Sequence, residues 1–492
     1  MFPNIKSKIF EITVHSMILQ SKTVALIVFM AFYSLSMRAQ EKKWTLKNCV
    51  DTALHNNLTI QQSINTSETN QISLNQSKAN LLPTLNGSAN QSFSSGRSLN
   101  PVSYQFTTGS IWSNNFSING SVPIFTGLQN SNAIKQNQLN YESTKYDIES
   151  VKNDIIINIV NAYLQVLFAN ELVNNSLNQL ELTSAQLDKT KQFLDVGKKS
   201  ESDFLQLKAD LAGKKLSLVN AKGQQKTTKL NLQQIMNIPL QASFDIEYPD
   251  AIELEISNLT GTQEIIASAL STQPSIKSSQ LKTQSAIYAI KNSKGVMFPR
   301  LSLSGSLSTN YSNASKLTEV NYLNTVQNIG YLQSNSNEVV LGNVTQPVYN
   351  YSNYSFGNQL NDNLSNSVSL SLSVPIFNSQ TRYNIQKQKI NLDNAKLNEQ
   401  VVKNTLQKNI EQAYTDVENG LAKYSATKEQ MAALAASFQN ANVKYDNQLM
   451  SASDLLAEKN KYTQAQSEYI QAKYELIFKM KVLDYYKGTL IF

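Results

Sequence analysis

The chain is written twice. ALHNNLTIQQ, from Ala53 to Gln62, returns as ALSTQPSIKS from Ala269 to Ser278, and LLPTL (81–85) returns as MFPRL (297–301), both at an offset of 216 residues. SVPIF, from Ser121 to Phe125, recurs verbatim from Ser373 to Phe377, now 252 residues on. Ala162-Tyr163 matches Ala413-Tyr414, and SESDFLQLK (200–208) matches SASDLLAEK (451–459), at an offset of 251. The offset jumps by 36 at one place only, between the prolines of LLPTL/MFPRL and VPIF, so the second copy carries one insertion of that size. Repetition of this kind imposes one order of elements on both halves.

That order is helix, strand pair, very long helix, turn, returning helix. Thr45 is a plausible N-cap for the first helix, which should stop before Pro83 because proline disfavours helical geometry in the residue preceding it. Strands follow. Leu301, Leu303, Gly305 and Leu307 alternate with Ser302, Ser304, Ser306 and Ser308, and Val368 to Ile376 alternate with serines in the same way. Period-two alternation makes one apolar and one polar face. The polar face is small and uncharged, as a water-filled lumen requires, though a one-sided soluble sheet would alternate likewise. After VPIF the period becomes helical, with Thr126 and Asn378 at N-cap positions. Ile148, Val151, Ile155, Ile159, Ala162, Val166, Ala169 and Val173 form a coiled-coil-like seam, repeated by Leu406, Ile410, Ala413 and Val417. The first long helix extends over roughly 100 Å at 1.5 Å per residue. A two-helix rod would share this feature but not the strand pairs.

Two strands per copy make four per chain, and four cannot close a membrane barrel, whose smallest form has about eight. Open edges facing hydrocarbon cost several kcal/mol per unpaired group. If these strands cross a membrane, several chains share one barrel. Pro83, Pro123, Pro299 and Pro375 fall at the strand–helix junctions, where a missing ladder donor costs least.

Composition narrows the function. His15 and His55 are the only histidines and Cys49 the only cysteine, which nearly excludes a metal cluster or a Cys/His nucleophile pair. Asp51 and His55 lie four apart on a helix and read as a surface pair. No convergent acid, base and nucleophile is found, so an enzyme is not expected, nor a cofactor. The net charge is +7, of which residues 1–39 carry +3; the remainder is no nucleic-acid footprint. VALIVFMAFYSL (24–35), between Lys22 and Arg38-Ala39, reads as a secretory signal cut after Ala39. The boundaries are therefore a signal peptide (1–39) and a first repeat (40–237) with strand pair 84–125, long helix 128–196 and return helix 202–236. A connector (238–262) leads to a second repeat (263–487) with strand pair and enlarged loop 300–377, long helix 379–447 and return helix 453–487. A tail (488–492) ends the chain.

The paired helix–strand–strand–helix copies, the VPIF junctions, the VG…SxxD turn and the opening WTLKNCVDTALHNN resemble the TolC-type outer-membrane efflux duct family, over essentially all of residues 42–487. The resemblance implies a mixed α and β membrane protein in the outer membrane. Three copies would form a homotrimer with a twelve-stranded transmembrane barrel, four strands per chain, continued by a long periplasmic α-helical barrel. The connector would form an equatorial belt, and the Asn/Ser/Tyr-rich stretch from about Thr309 to Asn366 an enlarged extracellular loop. Partners would be lipid and a periplasmic adaptor, with an inner-membrane pump of the RND, ABC or MFS type reached through the adaptor. A self-contained porin would need more alternating segments, and a trimeric fibre would not need serine-lined membrane strands.

The resemblance also implies sites. The turns at Val196, Gly197 and Lys198 and at Leu449 and Met450 form the tip that an adaptor docks on. Lys198 replaces an apolar residue of many relatives. Asp454 matches an aspartate lining the periplasmic constriction, while Ala457 lacks that ring's second carboxylate. Asp203 and Tyr445 match a pair that latches the closed mouth, and an Asp203–Tyr445 hydrogen bond is expected. Met450 stands where an arginine would add a further link.

Overall fold

The computed structural model describes residues 43–99, 104–241, 243–248 and 261–488. The expected signal peptide, most of the connector beyond Tyr248 and residues 489–492 of the tail lie outside them. In order the elements are α1 (Leu46–Asn56), α2 (Leu58–Ala79), β1 (Thr84–Leu99), β2 (Phe106–Phe125), α3 (Gln129–Asp195) and α4 (Glu201–Ile235). The second copy supplies α5 (Thr262–Thr272), α6 (Pro274–Gly295), β3 (Arg300–Ser312), β4 (Lys316–Leu332), β5 (Asn335–Asn353), α7 (Phe356–Asp362), β6 (Ser365–Ser373), α8 (Ser379–Asp446) and α9 (Ala452–Lys487). Thr45 caps α1, its hydroxyl accepting from the Asn48 amide at 3.1 Å. Where one opening helix is expected there are two, divided at Asn57, whose side chain accepts from the amides of Thr59 and Ile60 and so restarts the helix. The second copy divides at the matching residue, Gln273, ahead of Pro274.

The chain forms two compact units. One takes the described residues up to Gln62 with Ile148–Gln273 and the chain from Asn404 onward. Its core joins Cys49, Val50 and Ala53 of α1 to Ile159, Tyr163, Val166 and Leu167 of α3, Leu232 of α4, Phe244 and Ile246 of the connector, and Ile477 of α9. The connector is fixed by a parallel bridge between Trp44 and Ile246 and by the Tyr163 hydroxyl, which donates to the Glu247 carbonyl at 2.6 Å. The α3 helix includes a window apolar enough to cross a membrane, yet half of that window is buried in protein. Its apolar side chains serve packing. Cys49 is fully buried, and burial pushes its thiol up to about 12.

The other unit comprises residues 63–147 and 274–403. Its antiparallel sheet runs β1-β2-β3-β6, leaving the outer edges of β1 and β6 unpaired among the described residues. The registers align across all four strands. Thr84, Ser121, Ser304 and Ser369 form one row, Asn86, Asn119, Ser306 and Ser367 the next, and Ser88, Ser117, Ser308 and Ser365 the third. Hydroxyls bond directly across the strands, Ser88 to Ser117 at 2.7 Å and Ser306 to Ser367 at 2.8 Å. The alternate rows Val122–Leu303–Leu370 and Leu85–Gly120–Gly305–Val368 are apolar, polar residues entering that face only further along, at Asn366, Thr309 and the Gln91–Asn114 pair; Val368, Leu370 and Leu372 are exposed in the single chain. One sheet thus has a neutral hydroxyl face and a naked hydrocarbon face.

The junction prolines occupy distinct places. Pro83 and Pro299 lie immediately before β1 and β3, Pro375 follows β6, and Pro123 sits at a bulge where the β2–β3 register slips before Phe125. Beyond β2, Gly127 (φ +64°) packs so closely on Gly295 that a Cβ on either would strike the other's carbonyl oxygen. Asn378 caps α8, accepting from the Thr381 amide at 3.1 Å.

The insertion differs from expectation. Six strands are described, not four, because β4 and β5 form a two-stranded sheet of their own within the stretch expected to be an enlarged loop.

Candidate functional site at the helical turns

The α3–α4 and α8–α9 turns are built alike. In the first, the Lys198 amide donates to the Phe193 carbonyl at 2.7 Å and Gly197 takes a left-handed φ of +72°. In the second, the Leu449 amide donates to the Lys444 carbonyl at 2.8 Å, and the left-handed residue is Gln448 at φ +64°. Both are six-to-one helix stops of the kind that glycine makes easily, since it has no Cβ to clash. Each turn then restarts with serine. Ser200 accepts from the Asp203 amide at 3.1 Å, and Ser451 from the Asp454 amide at 3.2 Å. Asp203 and Asp454 are both third residues of their helices, and each accepts a serine hydroxyl, at 2.8 and 2.7 Å. Val196 and Leu449 project outward, 66% and 77% exposed. An open cleft at the turns is lined by Lys198, Lys199, Asp203, Lys444, Leu449 and Asp454, with Met450 among its walls.

The expected Asp203–Tyr445 hydrogen bond is not formed within the chain. Tyr445 is buried, and its hydroxyl pairs with Thr190 of α3 at 3.0 Å. Lys199 lies over the Tyr445 ring at 3.7 Å and reaches the Met450 carbonyl at 3.5 Å. Asp203 instead accepts from the Ala452 amide at 3.2 Å, which ties the two turns together by a charge-assisted bond. Partial burial raises the Asp203 pKa, but the Ser200 hydroxyl, the Ala452 and Ser200 amides and the Lys199 charge outweigh it and hold the carboxyl below its usual range. Its capacity is spent on capping and on Ala452, and the tyrosine has a nearer partner.

A link that sequence reasoning missed lies one turn deeper. Lys459 of α9 is only 1% exposed, and its ammonium donates to Thr183 at 2.6 Å, Gln186 at 3.0 Å and Asp210 at 3.2 Å. Three donors meet three acceptors, so the buried charge is fully satisfied. Burial lowers the Lys459 pKa, against the opposing pull of Asp210. One side chain therefore joins α9 to both α3 and α4. A lysine of this kind carries no sequence signature, because Lys208 holds the same place in the first copy. Lys189–Asp446 at 2.7 Å and Gln186–Asn442 at 2.9 Å complete the polar ties.

Paired long helical hairpins with an open-edged, two-faced sheet define the fold. Crystal structures of CusC (TM-score 0.72, 14% identity, 90% of this chain and 91% of that one) and of the Campylobacter jejuni CmeC outer membrane channel (0.71, 19%, 91% and 86%) share it. The chain belongs to the outer membrane efflux protein family, whose profile matches residues 49–237 and 265–479, and its place is the outer membrane. Toxin and drug export protein A of Aggregatibacter actinomycetemcomitans is 21% identical over 264 residues, covering 54% of this chain. The match spans 56%, about half, of that curated relative's own length.

Proposed function

We propose that the chain is one subunit of a homotrimeric exit duct, a passive channel rather than an enzyme. Three four-stranded sheets close a twelve-stranded barrel in outer-membrane lipid, and the long helices continue it through the periplasm. The observation that carries this reading is the sheet itself: apolar rows naked on one face, hydroxyl rows on the other, and two edges left open. Open edges in hydrocarbon are untenable, so pairing with further copies is the economical solution. The helical turns face the periplasm as the gated mouth. There a periplasmic adaptor docks on Val196, Gly197, Lys198, Leu449 and Met450 and couples the duct to an inner-membrane pump of the RND, ABC or MFS type. Asp454 lines the constriction.

Purified protein in planar bilayers tests the reading. Heat-sensitive trimers on gels together with ion conductance are expected; monomers without conductance would overturn it. Docking is tested separately by Gly197→Asp, which should abolish export at normal trimer levels, whereas intact export would remove the turns from the docking surface.

A further inference from the structure

The β4–β5 hairpin is the one large element with no role in the duct described so far. Its strands pair with each other over 17 and 19 residues, and its root is held firmly to the main sheet. Gln359 of α7, fully buried, donates to the carbonyls of Ser312 and Tyr354 at 3.0 and 2.9 Å and accepts from the Ser312 amide at 2.9 Å. On the other side of the root, the Asn313 amide donates to the Trp112 carbonyl at 3.0 Å, and the Asn313 side chain accepts from the Trp112 amide at 2.8 Å. Tyr311 packs on Phe356 with ring centroids 5.0 Å apart. The base is fixed; the arms are bare.

Those arms are apolar where water would be expected. Directly opposed residues of an antiparallel pair share a face. One face therefore carries Thr318 with Tyr351, Val320 with Tyr349 and Tyr322 with Pro347 as one apolar cluster; beyond the Asn324–Thr345 pair, Val326 opposes Asn343 and Leu341 opposes Asn328 on the same face. Tyr322 is 73% exposed and Tyr351 68%. A lone two-stranded hairpin is marginal in water, and a contiguous exposed apolar face marks a place where something else packs.

We propose that this face is covered by the hairpin of a neighbouring copy, so that the hairpins clasp the protomers together beyond the end of the barrel. The proposal rests on the reading that several copies share one barrel. Two observations, and one consequence of the shared barrel, select a second copy as the occupant. The chain passes from the hairpin through α7 directly into β6, whose unpaired edge is where another copy must pair. From Lys316 to Asn353 the only charged residues are Lys316, Glu319 and Glu338, too few for a polyanion or an acidic lipid surface to be recognised. Anchored roots around one barrel also hold like hairpins at an effective concentration on the order of millimolar, enough for a weak self-complementary face to be buried.

Single cysteines test the clasp. In the full-length chain with the lone buried Cys49 replaced (Cys49→Ser), Tyr322→Cys and Val326→Cys place thiols on the face, and Gln333→Cys places one in the turn as an exposed reference. A short bis-maleimide added to the purified oligomer should link two copies through the face positions. Labelling there by a polymer-bearing maleimide should be about tenfold slower than at Gln333→Cys, the ratio that a modest shielding energy gives. Oligomers that show equal labelling rates and no covalent dimers would overturn the clasp while leaving the barrel standing. Cross-links to another outer-membrane component would overturn it too. If the unsubstituted chain forms no oligomer at all, the shared barrel falls and the clasp with it. As a second measurement, replacing 316–353 by a short Asn-Gly turn should lower the temperature at which oligomers dissociate on gels, with conductance retained; an unchanged temperature counts against the clasp.

Discussion

Lys208 and Lys459 end the same nine-residue motif, 251 positions apart, yet Lys208 is exposed and Lys459 is buried on three partners. The turns before them differ in the same sense. The first stops on glycine, and its Asp203 reaches across to Ala452; the second stops on glutamine, and its Asp454 holds only its own serine. A repeated motif therefore sets local geometry (a helix stop, a serine cap, a carboxylate at the third position), while the packing around it decides what its charged residues do. In this molecule the second copy's return helix is fastened inward and the first copy's lysine is left in water.

The widest gap should appear on removing the lysines. Lys459→Met leaves Asp210 with only the more distant Lys214 at 3.9 Å and Thr183 without its buried donor, and should cost about 3 kcal/mol, the scale of a broken buried ion pair. Lys208→Met should stay within about 0.5 kcal/mol, as an exposed site does. Denaturant unfolding with hydrogen exchange at Thr183–Gln186 reads both, and equal costs would erase the distinction.

The aspartates come next. Asp203→Ala loses its capping-box bonds and the charge-assisted link to Ala452, about 2 kcal/mol, against about 0.5 kcal/mol in Asp454→Ala, which loses one exposed bond from the Ser451 hydroxyl while the Ser451 cap survives. Because the folded pKa of Asp203 lies below the unfolded value, the unfolded chain binds more protons in the interval between them. The stabilisation is complete above the unfolded value and is lost as pH falls through the lowered one. Asp203→Asn should therefore flatten the acid limb of the stability curve; an unaltered limb would mean that the cross-turn bond is not made in solution.

The smallest effect concerns the helix stops. Gln448→Gly relieves a left-handed side chain and should gain about 0.5 kcal/mol after the glycine's extra chain entropy, whereas Gly197→Gln should lose about 1 kcal/mol. Thermal unfolding of the two single variants decides it. Matching signs would show that the turns are not alike in backbone strain.

Much of the architecture was legible because each element meets one core or one face. The serine–leucine alternation of 301–308 and 367–376 gave the strands, though β6 ends at Ser373 and Val374–Ile376 lie beyond it, and the spacing from Ile148 to Val173 gave the long helix, since every third or fourth side chain packs inward. The tip was less legible. The Asp203–Tyr445 latch came from resemblance, and the lysine over the tyrosine ring and the Thr190 hydroxyl took its place. The β4–β5 hairpin escaped notice for a physical reason: apolar residues stand on both of its faces, Leu317, Leu323 and Val348 opposite the tyrosine face, so no clean period of two remains in its sequence. The break at Asn57 was hidden because the apolar pattern carries through it.

The contact of Gly127 with Gly295 has a mechanical consequence. Two backbones that touch with no side chain between them have no lubricating layer: neither can roll over the other without collision. The start of α3 and the end of α6 are thus keyed together at the foot of the strands. Any side chain at either position would have to force the two segments apart there, so the joint fixes how closely the start of α3 and the end of α6 can lie.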